Sequence, residues 1–254
     1  MNLKESFTYM FKSNRWYVPV FIAFAVVLSA EIISYIFSPA KAASELNIGI
    51  LLMNTICEIV RNVIIGGYSI TNTNKRILYP SSNLQSWNDT GKIILTGLKC
   101  IFAKIIYLIP ICIVSGILFT SYMKSAFSID NTQSQTDGAF LQMSQLFSVE
   151  TYIFIVINLI LVPAFSLNLN FSSCFNLKLI FNIIKNNITG FVILTAFTFL
   201  CIPIGRFMHN LTIVSPIFLI FIALVDVYVI LIYSDIIAQY VRVSTERNSA
   251  QNED

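Results

Sequence analysis

Six ionisable side chains fall within or at the edges of long apolar runs: Glu31, Glu58, Arg61, Lys104, Asp226 and Asp235. An ionised group at the centre of a bilayer costs about 2.5–3.5 kcal/mol even on lenient insertion scales, so each of these needs a partner, a proton or water. Glu58 and Arg61 stand three residues apart, share one face of a helix and can pair locally. Counting along the runs puts both at a depth similar to Lys104 and Asp235, which makes these four a candidate inner-leaflet network. Asp226 falls near the middle of the last run and Glu31 in the outer half of the first, and neither has a basic neighbour in its own helix. Two chemistries fit such an acid. Asp226 can be a proton- or cation-coupling carboxylate on a polar pathway, or an acid that joins helices through Tyr, Ser or Asn side chains. The sequence favours the joining role. Without Lys104, Arg61 or water beside it, desolvation disfavours the charged form of Asp226.

Other reactive constellations are missing. The chain holds one histidine, His209, which rules out paired-histidine metal sites. Five cysteines (Cys57, Cys100, Cys112, Cys174 and Cys201) sit in or beside apolar runs with no C-x-x-C spacing, so neither a disulfide framework nor a zinc site is indicated. There is no G-x-x-x-x-G-K-[ST], H-E-x-x-H, G-x-S-x-G or G-x-G-x-x-G. No cofactor is expected, and the expected class is non-enzymatic. A net charge of +3 with no arginine-rich or aromatic-basic patch sets nucleic acid aside.

The elements that must carry the six charges follow from composition. Of 254 residues, 56% are hydrophobic and 11% charged, too little charge to coat a water-soluble globule. Runs of about 17–25 apolar residues suffice to span a bilayer as helices. Six can be drawn, at residues 18–37, 48–65, 101–123, 151–169, 190–207 and 213–237; the second is shorter and more polar, with Asn54, Glu58, Arg61 and Asn62. A re-entrant or tilted helix is the other reading of that segment. The amino terminus begins with a polar, amphipathic stretch and no small-x-small cleavage motif, so the first helix is expected to stay as an anchor. With the amino terminus inside, twelve of the sixteen Lys+Arg face the cytoplasm, against Lys41, Lys124 and Arg206 outside; Lys104 snorkels to the inner face. Both termini are therefore expected in the cytoplasm. Residues 69–90 read as a cytoplasmic loop whose Trp87 sits at the membrane interface, and residues 124–150 as an outer connector with one short helix.

Three segments carry the stripe of an interfacial helix. Leu3, Phe7, Met10 and Phe11 form the first, Ile93, Ile94, Gly97 and Leu98 within residues 89–100 the second, and Leu179, Ile180, Ile183 and Ile184 within residues 173–186 the third. Each precedes two membrane helices, which suggests a threefold repeat with units 1–88, 89–171 and 172–245 in one membrane domain, 1–245, followed by a polar tail, 246–254. The expected fold is all-α: a polytopic bundle of six transmembrane helices with three cytoplasmic-side interfacial helices.

The opening Leu3-Lys4-Glu5-Ser6-Phe7-Thr8-Tyr9-Met10-Phe11-Lys12 resembles the prokaryotic domain-of-unknown-function 4013 membrane family. So do Glu58-Ile59-Val60-Arg61-Asn62, Leu84-Gln85-Ser86-Trp87-Asn88-Asp89, Gly97-Leu98-Lys99, Ile106-Tyr107-Leu108-Ile109-Pro110 and Ala238-Gln239-Tyr240-Val241-Arg242. The chain departs from the family pattern at Leu84-Gln85, where Leu-Pro is expected, and residues 68–83 look like an insertion. The resemblance implies a multi-pass protein of a bacterial or archaeal cell membrane and carries over no activity, substrate or catalytic residue. Within that frame the leading expectation is a permease-like or accessory component that works with the lipid bilayer, another membrane subunit or an ATPase. The alternative is a membrane-organising or bacteriocin-immunity-type protein that acts on lipid or peptide through its interfacial helices.

Overall fold

The computed structural model describes residues 2–12, 15–36, 48–127, 152–153 and 155–251. Among these the fold is all helical: α1 (Leu3–Thr8), α2 (Tyr17–Ile36), α3 (Ile48–Leu78), α4 (Thr90–Phe127), α5 (Ile155–Asn168), α6 (Leu177–Asn186), α7 (Ile188–Val214) and α8 (Phe218–Gln251). Short 3-10 turns at Tyr9–Lys12, Trp87–Asp89 and Phe171–Phe175 link them. Among the described residues four stretches are long and apolar enough to cross a membrane: Tyr17–Ile36, Trp87–Ile117, Ile188–Gly205 and Phe218–Arg247. They coincide with the first, third, fifth and sixth expected spans. The outer connector expected at residues 124–150 lies largely outside the described residues, as does Lys41.

Several boundaries differ from the sequence reading. The amphipathic segment 89–100 is continuous with the span after it, in one helix that holds Pro110. The tail expected from residue 246 is helical to Gln251. The largest difference is at α3, which does not stop near residue 65 but runs to Leu78, through residues read as loop. Its last turns are polar yet buried, with Asn72 and Thr73 fully shielded and Thr71, Asn74 and Arg76 nearly so. The threonines return their hydroxyls to the preceding turn, Thr71 to the Gly67 carbonyl (2.9 Å) and Thr73 to the Ser69 carbonyl (2.8 Å), which lets polar residues sit inside a helix with their groups satisfied. The remaining polar groups bond to other elements, so what reads as a loop is a helix whose polar face points inward.

The chain packs as two units, residues 1–101 with 162–254 and residues 102–161. In the first, α8 lies against α1, α2, α3, α6 and α7. Its contacts with α3 advance in the same direction along both helices, from Arg61–Asp226 through Ser69–Ser234 to Arg76–Asp235, so α3 and α8 are parallel. The shared core contains Ala23 and Val27 of α2, Ile65 and Tyr68 of α3, Ile93 of α4, and Ala223, Val227 and Leu231 of α8. Between apolar helices such small and branched side chains act by close packing. One crossing is tightest: a Cβ on Gly67 would strike the Ile93 carbonyl, and one on Gly97 the Val63 carbonyl, so both backbones touch only because both residues are glycine.

Trp87 stacks flat on Tyr68 (centroids 4.5 Å, planes 6° apart) and donates its indole N–H to the Pro19 carbonyl (3.1 Å). It therefore ties the 79–89 segment to α2 and α3; an indole N–H with a buried body takes a protein acceptor when one is in reach. At the α6–α7 junction the Asn187 side chain caps α7 through the Gly190 N–H (3.0 Å) and donates to the Tyr240 carbonyl of α8 (3.2 Å). The second unit comprises the remainder of α4 and the first turns of α5, with Ala103, Leu159 and Leu161 buried.

Candidate functional site

Arg61 sits near the middle of α3 and gathers three carboxylates. Its Nη2 lies 2.6 Å from Asp226 of α8, and its Nη1 lies 2.9 Å from Glu31 of α2 and 3.3 Å from Glu58 one turn earlier on α3. Glu31 and Arg61 are largely shielded, Asp226 is partly open and Glu58 faces outward. The planar guanidinium can hold several oxygens at once, which a lysine ammonium does less well. Three acids converge on one base, so the cluster carries more acid than base, and two of the three helices that build it, α2 and α8, hold stretches long and apolar enough to cross a membrane. Beside it, Phe21, Ile22, Val26, Ile56, Ile64 and Arg61 are among the walls of an apolar groove of about 480 Å³ between α2 and α3.

A second arginine cluster closes the end of the unit that carries α1. Arg76 of α3 meets Asp235 of α8 through Nε (2.8 Å) and Nη2 (2.6 Å), both to Oδ1, and approaches Glu5 of α1 at 3.5 Å. Its guanidinium also lies over the Tyr9 ring, 4.7 Å from the centroid. The other carboxylate oxygen of Asp235 accepts from Ser6 Oγ and Gln239 Nε2, each at 2.8 Å. Gln239 in turn accepts from the Asn2 N–H (2.6 Å), while Asn72 donates to the Tyr9 hydroxyl and accepts from the Gln85 N–H (3.0 Å). Asp235 is fully buried and Arg76 nearly so, and each carboxylate oxygen of Asp235 meets two donors, Oδ1 from Arg76 and Oδ2 from Ser6 and Gln239. Lys12 pairs with Glu5 at 3.1 Å. That hydrogen bond, helped by the fields of Lys12 and Arg76, holds the Glu5 carboxyl below its usual range, while burial pushes the Tyr9 hydroxyl well up.

The structure thus divides the network read from the sequence. Glu31, Glu58, Arg61 and Asp226 come together. Asp235 does not join Glu58 and Arg61, because α3 continues to Leu78 and offers it Arg76 instead. Arg61, four residues from the expected helix end, is in fact near the helix centre and level with Glu31 and Asp226. Lys104 belongs to the 102–161 unit. Arg76, Asn72, Tyr9, Ser6 and Gln239 are the residues the sequence reading missed as site members. Ser69, Asn72, Thr73 and Arg76 fall at i, i+3, i+4 and i+7, a polar stripe at helical spacing that marks one buried face.

Among the described residues no group of three or more His, Cys, Asp or Glu side chains is arranged to hold a metal ion. Cys174, in the turn before α6, is fully buried, and burial pushes its thiol up to about 12. No curated protein and no solved structure matches the chain. Residues 50–214, well over half of the chain, match the model of a family described as a protein of unknown function (DUF4013), and the chain therefore belongs to that family.

Proposed function

We propose that this protein is a non-enzymatic, permease-like or accessory component of a prokaryotic cell membrane. In this reading it has six spans, both termini lie in the cytoplasm, and the Arg61 cluster exchanges protons or cations. One observation carries the reading: three carboxylates from α2, α3 and α8 meet a single guanidinium among helices of membrane-spanning length. Ionisable groups at that depth are costly and concentrate where an ion or proton passes. Excess acid over base gives the cluster a vacancy for a proton or cation, and the outward-facing Glu58 and partly open Asp226 give it access. An added membrane subunit or an ATPase would supply the partner that an accessory role needs.

Reconstitution into vesicles loaded with a pH-sensitive dye tests this. Parent protein should pass protons or monovalent cations under an imposed gradient. Asp226→Asn keeps shape and hydrogen bonding but cannot ionise, and should fold like the parent while losing the flux or its pH dependence. A folded Asn variant with unchanged flux would show that the acid only joins helices. The membrane-organising reading is favoured by a separate observation, the exposed apolar side chains Leu177 and Phe181 on α6; a protein without flux that alters vesicle permeability to peptides would support it.

A further inference from the structure

The amino-terminal segment formed by α1 and its 3-10 turn, the start of α4, and α6 share more than an apolar stripe. In each, a buried residue is followed by an exposed or half-buried apolar one and then by lysine: Met10-Phe11-Lys12, Gly97-Leu98-Lys99 and Ile183-Ile184-Lys185. Two turns earlier each segment holds a second lysine, at Gly91-Lys92 and Leu177-Lys178, seven residues before Lys99 and Lys185, and at Leu3-Lys4, eight residues before Lys12. Successive residues are about 100° apart around an α-helix and about 120° in a 3-10 turn. In α4 and α6 a seven-residue step returns to nearly the same face, so both show, in the same rotational order, a row packed on the protein, an outward row that is apolar except at Gly91, and a lysine row; the amino-terminal segment shows that order at Met10-Phe11-Lys12.

The outward row is open: Phe11 is 49% exposed, Leu98 38%, Leu177 71% and Phe181 65%. Lys12 is held by Glu5. Lys4, Lys92, Lys99, Lys178 and Lys185 form no ion pair with a described residue, and residues 171–205 contain no acid at all. Arg247 adds positive charge at the end of α6, where it donates to the Asn186 carbonyl (2.7 Å). The ridges also stand at the ends of apolar spans, since α4 continues into one and α7 begins directly after α6. An apolar row beside a cationic row matches the boundary between acyl chains and phosphates, with lysine stems lying along the apolar surface and their ammonium groups reaching the headgroups.

We propose that these three segments are one repeated binding surface for the anionic headgroups of a bilayer leaflet, with the apolar row in the acyl boundary and the lysine row on the phosphates. The proposal rests on the membrane reading above, and to the threefold repeat expected from the sequence it adds a shared order of packed, outward and lysine positions.

The test uses the full chain in nanodiscs of phosphatidylcholine, with and without phosphatidylglycerol, and follows amide hydrogen exchange in residues 3–12, 90–101 and 177–186. Phosphatidylglycerol should slow exchange several-fold in all three segments, and high salt should reverse the effect. Lys178→Gln with Lys185→Gln should abolish the lipid dependence in residues 177–186 and leave it in 90–101. Phe181→Ser, at an exposed position, should speed exchange of α6 in both bilayers. If Phe181→Ser changes nothing in either, α6 is not on the bilayer and the membrane-surface reading fails. If Phe181→Ser acts but lipid charge does not, the headgroup proposal alone is overturned. Inorganic phosphate that reproduces the effect in phosphatidylcholine would overturn the bilayer as the source of the anion.

Discussion

Replacing Arg76 by methionine removes the guanidinium from a pair in which Asp235 is completely buried and Arg76 is 4% exposed. Asp235 would keep its bonds from Ser6 and Gln239 but lose both arginine contacts, at 2.8 and 2.6 Å. Removing one partner of a buried ion pair costs about 3–5 kcal/mol, because the remaining charge is left uncompensated. The two surviving donors place the expected loss at the lower end, about 3 kcal/mol. Replacing both residues, Arg76→Met with Asp235→Leu, removes the stranded charge, so the double variant should recover to within about 1 kcal/mol of the parent. Unfolding by denaturing detergent in mixed micelles measures this through intrinsic fluorescence. Trp87 stacks on Tyr68 and Trp16 packs edge-on against Phe11 at 4.8 Å, so both report on this end of the unit. A single variant that loses less than about 1 kcal/mol, or a double variant as unstable as the single, would refute the account of Arg76 as the neutraliser of Asp235.

Gly97→Ala drives a methyl group into the Val63 carbonyl of a packed helix, so it should destabilise the protein by about 1–3 kcal/mol, whereas Gly91→Ala, with open space, should be neutral or stabilising in the same unfolding assay. The Glu5 carboxyl is held below its ordinary range in the folded chain, chiefly by Lys12, so its contribution is present above the unfolded carboxylate value and fades as pH falls through the lowered folded value. Acidification should therefore loosen α1, seen as a change in Trp16 fluorescence, and Glu5→Gln should flatten that dependence. With both termini cytoplasmic, a cysteine at Thr136 should react with an impermeant maleimide added outside intact cells and one at Ser81 should not; the reverse pattern would overturn the orientation.

Four long apolar runs were legible from the sequence because hydrophobic length is a local property: 18–37, 101–123, 190–207 and 213–237 each overlap a stretch of spanning length, although the last begins at the end of α7, ahead of the turn before α8. The family was legible too, in short segments whose order along the chain is itself sequence. Glu31, Glu58, Arg61 and Asp226 could be singled out because a charge in an apolar run is conspicuous. Their grouping could not, since Arg61 meets Asp226 across 165 positions of chain, and only the packing of α2, α3 and α8 sets that distance. The end of α3 shows the opposite limit. Thr71, Asn72, Thr73, Asn74 and Arg76 read as solvated loop because polarity in a sequence does not say whether water or protein satisfies it. Thr71 bonds within its own helix, but the other four reach Tyr9, Gln85, Ser166, Ser234 and Asp235, scattered over the whole chain. Composition can state that such groups need bonds, but only the tertiary structure decides who makes them, because each bond depends on where distant helices bring their side chains.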